Sequence, residues 1–133
     1  MKEELKSFLK ESGVEFEDFG NDVEDQNDDY TDFAARVAHK IASKPNEHRG
    51  IVICGSGVGV DIAANRFKGV RCGLAMNRAQ VASARLHDDI NCLALAADYI
   101  EQVDAEELVT AFLNTKFSNE ERYARRLTKI DKL

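Results

Sequence analysis

Proline occurs once, at Pro45, tryptophan is missing, and only three cysteines are scattered through 133 residues. With no proline-rich or low-complexity stretch there is no linker, so residues 1–133 are expected to form a single domain without internal repeats. A chain of this size can bury roughly two-thirds of its unfolded surface, enough for a core that needs neither metal nor disulfide. Cys54, Cys72 and Cys92 are odd in number and make no CxxC pair, which argues against a disulfide framework and a zinc site. A reduced, cytoplasmic protein is the expectation from that usage. No apolar run approaches the ~20 residues needed to cross a membrane, and the opening MKEELKSFLKES is charged and amphipathic rather than an apolar leader. Excess basic charge is also lacking: the net charge is −6 and the pI near 5.1. Nucleic-acid binders draw their affinity from a Lys/Arg surface, so that class is excluded as a general property, while a local cationic pocket stays compatible.

What is present is a strong alternation of helix and strand patterns. Leu5, Phe8 and Leu9 recur at helical spacing in residues 2–12, with Gly13 as a stop. Residues 14–19 alternate apolar and acidic side chains, as in a short strand, before an acidic loop from Gly20 to Tyr30. Thr31 is placed to cap a helix over 32–43. Continuous apolar runs at 50–54, 70–75 and 91–96 predict buried parallel strands. Helices are predicted after residue 59, over 78–86, from an Asp104/Glu107 capping box to about Phe117, and from a Ser118/Glu121 box onward. The fold class is therefore α/β: a three-layer α/β/α, Rossmann-like parallel sheet with helices on both faces. Ligand sites in such sheets lie beyond the C-terminal ends of the strands.

The loop after the 50–54 strand is the most informative segment. In Cys54-Gly55-Ser56-Gly57-Val58-Gly59, alternating glycines allow a sharp turn that aims several N–H groups at one spot suited to an anion. Val60 stands where a dinucleotide fingerprint needs glycine, and no GK[ST] follows, so neither nucleotide motif is met. Cys54 at the strand end is either a thiolate favoured by those N–H groups, able to serve as a general base, or a buried structural thiol. Cys72 and Cys92 read as core residues. His87, flanked by carboxylates at a helix end, is open to a catalytic role or simply to stabilisation by the helix dipole. Arg122 and Arg126 share a helix face and suit a phosphate, although Glu120 and Glu121 could pair with them on a solvated surface.

The order of these motifs resembles the ribose/galactose isomerase family, cofactor-free aldose–ketose isomerases of phosphorylated sugars. The segment Cys54–Arg66 matches its CG[ST]GxGxxxAAN[KR] motif. His87, Asp89 and Asn91 match HxDxN; "DFG…DYTDFA" and "ERYARRL" match its flanking motifs. The resemblance implies proton transfer without metal or organic cofactor. By it, His87 opens the sugar ring and Cys54 moves the proton between adjacent carbons. Ser56 with Gly55, Gly57 and Gly59 holds the enediolate oxygens. Arg122 and Arg126 grip the phosphate, and Tyr30 and Asp88 occupy substrate-contacting positions. It further implies a homodimer or dimer of dimers, with the C-terminal helices at the dimer interface and each site shared between subunits. The expected partner is a small sugar phosphate, with no nucleic acid, membrane or metal.

Four departures bear on the substrate. The family's first strand, ending in Asp-His, is missing from the sequence, and a start about 12–15 residues upstream of Met1 is the expectation from usual strand and turn lengths. Asp88 stands for an asparagine, Asp98 for an arginine and Tyr123 for a histidine. A catalytically silent or partner-dependent family member that binds a sugar phosphate is the competing reading.

Overall fold

The three continuous apolar runs form the sheet. In the computed structural model, which describes residues 1–133, they are β1 (Gly50–Cys54), β2 (Cys72–Leu74) and β3 (Cys92–Ala96), all parallel in the order β1-β3-β2. Gly50 lies opposite Cys92 and Cys54 opposite Ala96, while Cys72 to Leu74 lie opposite Cys92 to Ala94. Helices α1 (Lys2–Glu11) and α2 (Tyr30–Ser43) precede the sheet. Three more follow the strands in turn, α3 (Val58–Ala64), α4 (Arg78–Asp88) and α5 (Gln102–Asn114), and α6 (Glu121–Ile130) ends the chain.

The central strand shows why its sequence is apolar throughout. All five residues of β3 are buried, and their period of two sends alternate side chains into different layers. Cys92 and Ala94 join a core with Ala34, Ala38 and Ile41 of α2 and Val60 and Ala64 of α3. Leu93 and Leu95 join the opposite core with Leu5 and Leu9 of α1, Val81 of α4, and Leu108 and Phe112 of α5. The predicted three layers are therefore found. Cys92 is fully buried, and the Cys72 thiol is pushed up by the neighbouring Cys92 sulfur and by burial, as expected of core thiols.

Several local expectations are corrected. Residues 14–19 form no strand: past Val14, whose N–H bonds Leu9, their backbone has no ladder partner. The segment nevertheless behaves as extended chain, since successive side chains reach opposite layers. Glu17 pairs with Lys40 of α2 at 2.8 Å, and Asp18 with Lys6 of α1 at 2.8 Å and Lys2 at 3.0 Å. Alternation predicts side-chain direction, but a strand also needs a neighbouring backbone within bonding distance, and none is there. Asp29 precedes the first residue of α2, Tyr30, so Thr31 does not cap it. The strand predicted at 70–75 pairs only over 72–74. In α5 the reciprocal pair is one turn earlier, with Asp104 accepting from the Glu101 N–H at 3.3 Å, and the helix stops at Asn114. Glu120 takes the cap position of α6, so the Ser118/Glu121 box does not form.

Asp18 gives this ordered but unpaired segment a pH signature. Burial alone pushes its carboxyl up, but hydrogen bonds from Lys6, the Gly20 N–H and Lys2 overcome that and hold it at about 2. A carboxyl depressed on folding stabilises above its unfolded value near 3.8 and loses that contribution as pH falls toward 2. Because the pair is solvent-screened, Asp18→Asn is expected to cost no more than about 1 kcal/mol at neutral pH. The difference from the parent should shrink in denaturant titrations as pH falls from about 4 and vanish below about 2; a constant difference across that range would exclude this linkage.

Candidate active site

The glycine-rich loop leaves β1 at its C-terminal end and turns immediately into α3. Gly57 lies at φ +73°, and a Cβ there would stand 2.6 Å from Leu74 Cδ1 and 3.1 Å from the Ala96 nitrogen. Only glycine meets both conditions, the left-handed backbone and the close approach to β3. Gly57→Ala is expected to cost about 2–4 kcal/mol in urea unfolding, from backbone strain and overpacking together. A loss below about 1 kcal/mol would show that the loop relaxes freely.

This turn gives Cys54 its surroundings. Cys54 is half-buried, packs against the core between β1, α2 and α3, and lines a cavity of about 1070 Å³, and its sulfur accepts the Gly57 N–H at 3.1 Å. The Val58 N–H goes to Ser56 Oγ at 3.3 Å, which leaves the exposed Ser56 hydroxyl proton free to donate. The N–H groups of Gly55 and Ser56 have no partner within the chain. So the expected ring of amides divides: Gly57 serves the sulfur, while Gly55 and Ser56 supply open donors beside it. Such donors stabilise negative charge on an adjacent oxygen.

Tyr30 and Asp98 close in on the same loop. The Tyr30 ring sits so near Gly59 that a Cβ there would lie 2.5–2.7 Å from ring atoms. At Gly55 a Cβ would lie 2.5 Å from Asp98 Oδ2, and the Asp98 N–H donates to the Gly55 carbonyl at 3.0 Å. The acidic side chain that the sequence reading counted only as a departure therefore forms part of the rim.

A second cluster gathers on α4 and α6. His87 lies within the last turn of α4, which continues to Asp88 rather than ending at Leu86. Its ring stacks on Tyr123 with centroids 4.5 Å apart and planes 22° apart. Tyr123 is buried, its hydroxyl accepts from Arg122 at 2.7 Å, and the Arg122 and Arg126 guanidiniums lie 4.6 and 5.7 Å from its ring centre. Arg122 also approaches Glu120 at 3.5 Å, whereas Arg125 is taken by Glu121 at 3.0 Å. Tyr123 thus assembles three of the candidate residues. Its signal in the sequence was the apolar pair Tyr123 and Leu127, one turn apart on a charged helix. Asp88 is exposed next to this group.

The other members of the HxDxN motif anchor the end of α4, whose last turn carries His87. Asp89 adopts φ 44°, a left-handed cap that an aspartate tolerates, and pairs with Arg85 at 2.7 Å and Arg71 at 3.2 Å. Asn91 is fully buried; it accepts the Arg71 N–H at 2.8 Å and donates to Gly69 and Pro45 carbonyls at 2.8 and 3.2 Å. Buried Arg85 also donates to the Thr115 carbonyl at 3.0 Å.

The two clusters stand toward opposite ends of the sheet. Cys54 is at the C-terminal end of β1, beside Ala96. His87 closes a helix that runs back from β2, just before the N-terminal end of β3. A five-residue strand spans roughly 16 Å, so within one chain the cysteine and the histidine do not meet.

With this geometry described, comparison with known proteins is informative. The family model for ribose/galactose isomerase matches residues 1–130. Ribose-5-phosphate isomerase B of Mycobacterium tuberculosis is 34% identical over 127 residues, covering 96% of this chain and 78% of that protein. The ribose-5-phosphate isomerase B structure from Mycoplasma genitalium, which holds ribulose 5-phosphate, superposes with a TM-score of 0.91 at 38% identity, over 95% of this chain and 82% of that one. The Thermotoga maritima ribose 5-phosphate isomerase structure gives 0.92 at 38% identity, over 99% and 89%. A family match over nearly the whole chain, together with superposition on two ribose-5-phosphate isomerase structures at TM-scores above 0.9, shows that the chain belongs to the ribose/galactose isomerase family.

Proposed function

We propose that the whole chain, as one catalytic domain, interconverts an aldose and a ketose phosphate, ribose 5-phosphate and ribulose 5-phosphate being the pair suggested by its relatives. The observation that carries this reading is the position of Cys54: a half-buried cysteine at the C-terminal end of β1, lining a cavity and next to two unpartnered amides. In the proposed reaction His87 assists ring opening, and the Cys54 thiolate takes the proton from C2. The resulting enediolate places charge on the sugar oxygens next to the Gly55 and Ser56 N–H groups and the Ser56 hydroxyl. Return of the proton to C1, with a second proton moving from O2 to O1, completes the exchange without gain or loss of electrons. Arg122 and Arg126 hold the phosphate. That end of the sugar lies away from Asp98, whose carboxylate on the rim would repel it.

Two features support a site shared between subunits. Cys54 and His87 lie toward opposite ends of the sheet within one chain, and α6 presents the arginine cluster on its exposed face. A homodimer packing α6 of one copy toward the β1 edge of another would bring them together, as would a dimer of dimers. No helix is long and apolar enough to cross a membrane, and the three cysteines are free, which fits a cytoplasmic enzyme of pentose phosphate metabolism.

The test is turnover by the purified chain with ribose 5-phosphate, read as ketose formation and repeated in EDTA. Equal activity with and without EDTA is expected. Calorimetric binding of the sugar phosphate with no turnover would instead favour the silent, ligand-binding family member.

A further inference from the structure

The joint between α4 and α6 holds two side chains by means that leave their chemistry unused. The Ser118 N–H donates to the Leu86 carbonyl at 3.1 Å, which ties the entry to α6 beside His87. Tyr123, buried on that helix, then stacks on the imidazole with the two planes 22° apart. Stacking engages the face of the imidazole and not its edge. The ring plane of His87 is fixed while both nitrogens stay available to a sugar oxygen.

The hydroxyl end of the same ring holds Arg122. Its oxygen accepts from the guanidinium at 2.7 Å, against a Glu120 carboxylate 3.5 Å away. The kind of partner decides what is left for an anion. A carboxylate cancels the charge of the guanidinium it binds, as Glu121 does for Arg125 with contacts at 3.0 and 3.1 Å. A phenol oxygen is an uncharged acceptor, so it directs the fork and leaves the positive charge for an incoming phosphate. Without that oxygen, Arg122 would turn to Glu120 and be neutralised. An imidazole at position 123 would add a titratable charge beside two guanidiniums, which the tyrosine avoids.

We infer that Tyr123 is the positioning residue of this half of the site and that its two ends act separately. Through Arg122 the hydroxyl sets the affinity for the phosphate group, and through His87 the ring sets the rate of turnover. Given the isomerase reading on which this rests, Tyr123 itself touches no reacting atom. Substrate affinity and turnover are therefore separable within one side chain, by removing the oxygen and keeping the ring.

The test compares Tyr123→Phe, which removes only the oxygen, with Tyr123→Leu, which removes the ring as well. Binding of inorganic phosphate is read by calorimetry and the His87 ring protons by NMR. Steady-state kinetics with ribose 5-phosphate give kcat and KM. Tyr123→Phe should weaken phosphate binding and raise KM about three- to tenfold, as for loss of one hydrogen bond, with kcat within about twofold. In this variant and in the parent, the stacked ring should hold the His87 protons upfield of a free imidazole. Tyr123→Leu should lose the upfield position, weaken phosphate equally and lower kcat about tenfold or more. If the leucine variant does not fold, Tyr123→Met keeps the buried volume and takes its place. Phosphate affinity within about twofold of the parent in Tyr123→Phe overturns the role of the hydroxyl. An equal loss of kcat in both variants, or an unshifted His87 in the parent, overturns the role of the ring. A parent that binds phosphate without turning over ribose 5-phosphate would refute the isomerase reading instead, while the affinities and the His87 spectrum still decide both contacts.

Discussion

Cys54→Ala is expected to lower kcat for the sugar-phosphate isomerisation by about 10²–10⁴-fold, the usual contribution of a positioned general base, with KM changed little. The reason lies in what the sulfur touches. Cys54 is the last residue of β1, pinned by the β3 ladder, and its sulfur receives the Gly57 N–H. The proposed base is therefore held by the strand and loop rather than by a mobile side chain. Removing it leaves the Gly55 and Ser56 donors and the arginine cluster in place, so sugar binding should survive. Stability should fall only slightly, since the Gly57 N–H loses one partner at about 1 kcal/mol. Steady-state kinetics beside a denaturation curve separate these effects. Turnover within about threefold of the parent would rule out Cys54 as the base.

Mixing two inactive variants should restore activity. Cys54→Ala and His87→Ala lie toward opposite ends of the sheet, so a shared site draws each residue from a different copy. In a mixed dimer one site carries both substitutions and the other carries neither. An equimolar mixture after subunit exchange should then reach a quarter of parental turnover, since half the dimers are mixed and each has one intact site. Separately, each variant should fall by about 10²-fold or more. If the mixture stays as inactive as its components after exchange has been verified, both residues act from the same chain. That result would require His87 and α6 to rearrange toward Cys54, against the stack on Tyr123 and the Asp89 ion pairs that now hold them.

Tyr123 illustrates how a residue's meaning changes between one and three dimensions. In the sequence it was a substitution for a histidine beside a phosphate-gripping arginine. In the folded chain it is the plate on which His87 stacks and to which Arg122 donates. Asp98 follows the same course: a lost arginine in the sequence, a carboxylate against Gly55 in the structure.

The sequence alone was sufficient for the layered parallel sheet, the family and the loop that presents Cys54. Each of these rests on short-range chemistry. A run such as Cys92–Ala96 is apolar at every position only where helices cover both faces. Gly57 tolerates the left-handed turn regardless of what lies further along the chain. Tertiary structure decided the rest: that residues 14–19 find no backbone to pair with, that Glu101 rather than Asp104 caps α5, and that Cys54 and His87 lie toward opposite ends of the sheet. A strand, a cap or a shared site depends on which distant groups arrive within bonding distance, and that is set by the packing of whole layers, which no local pattern encodes.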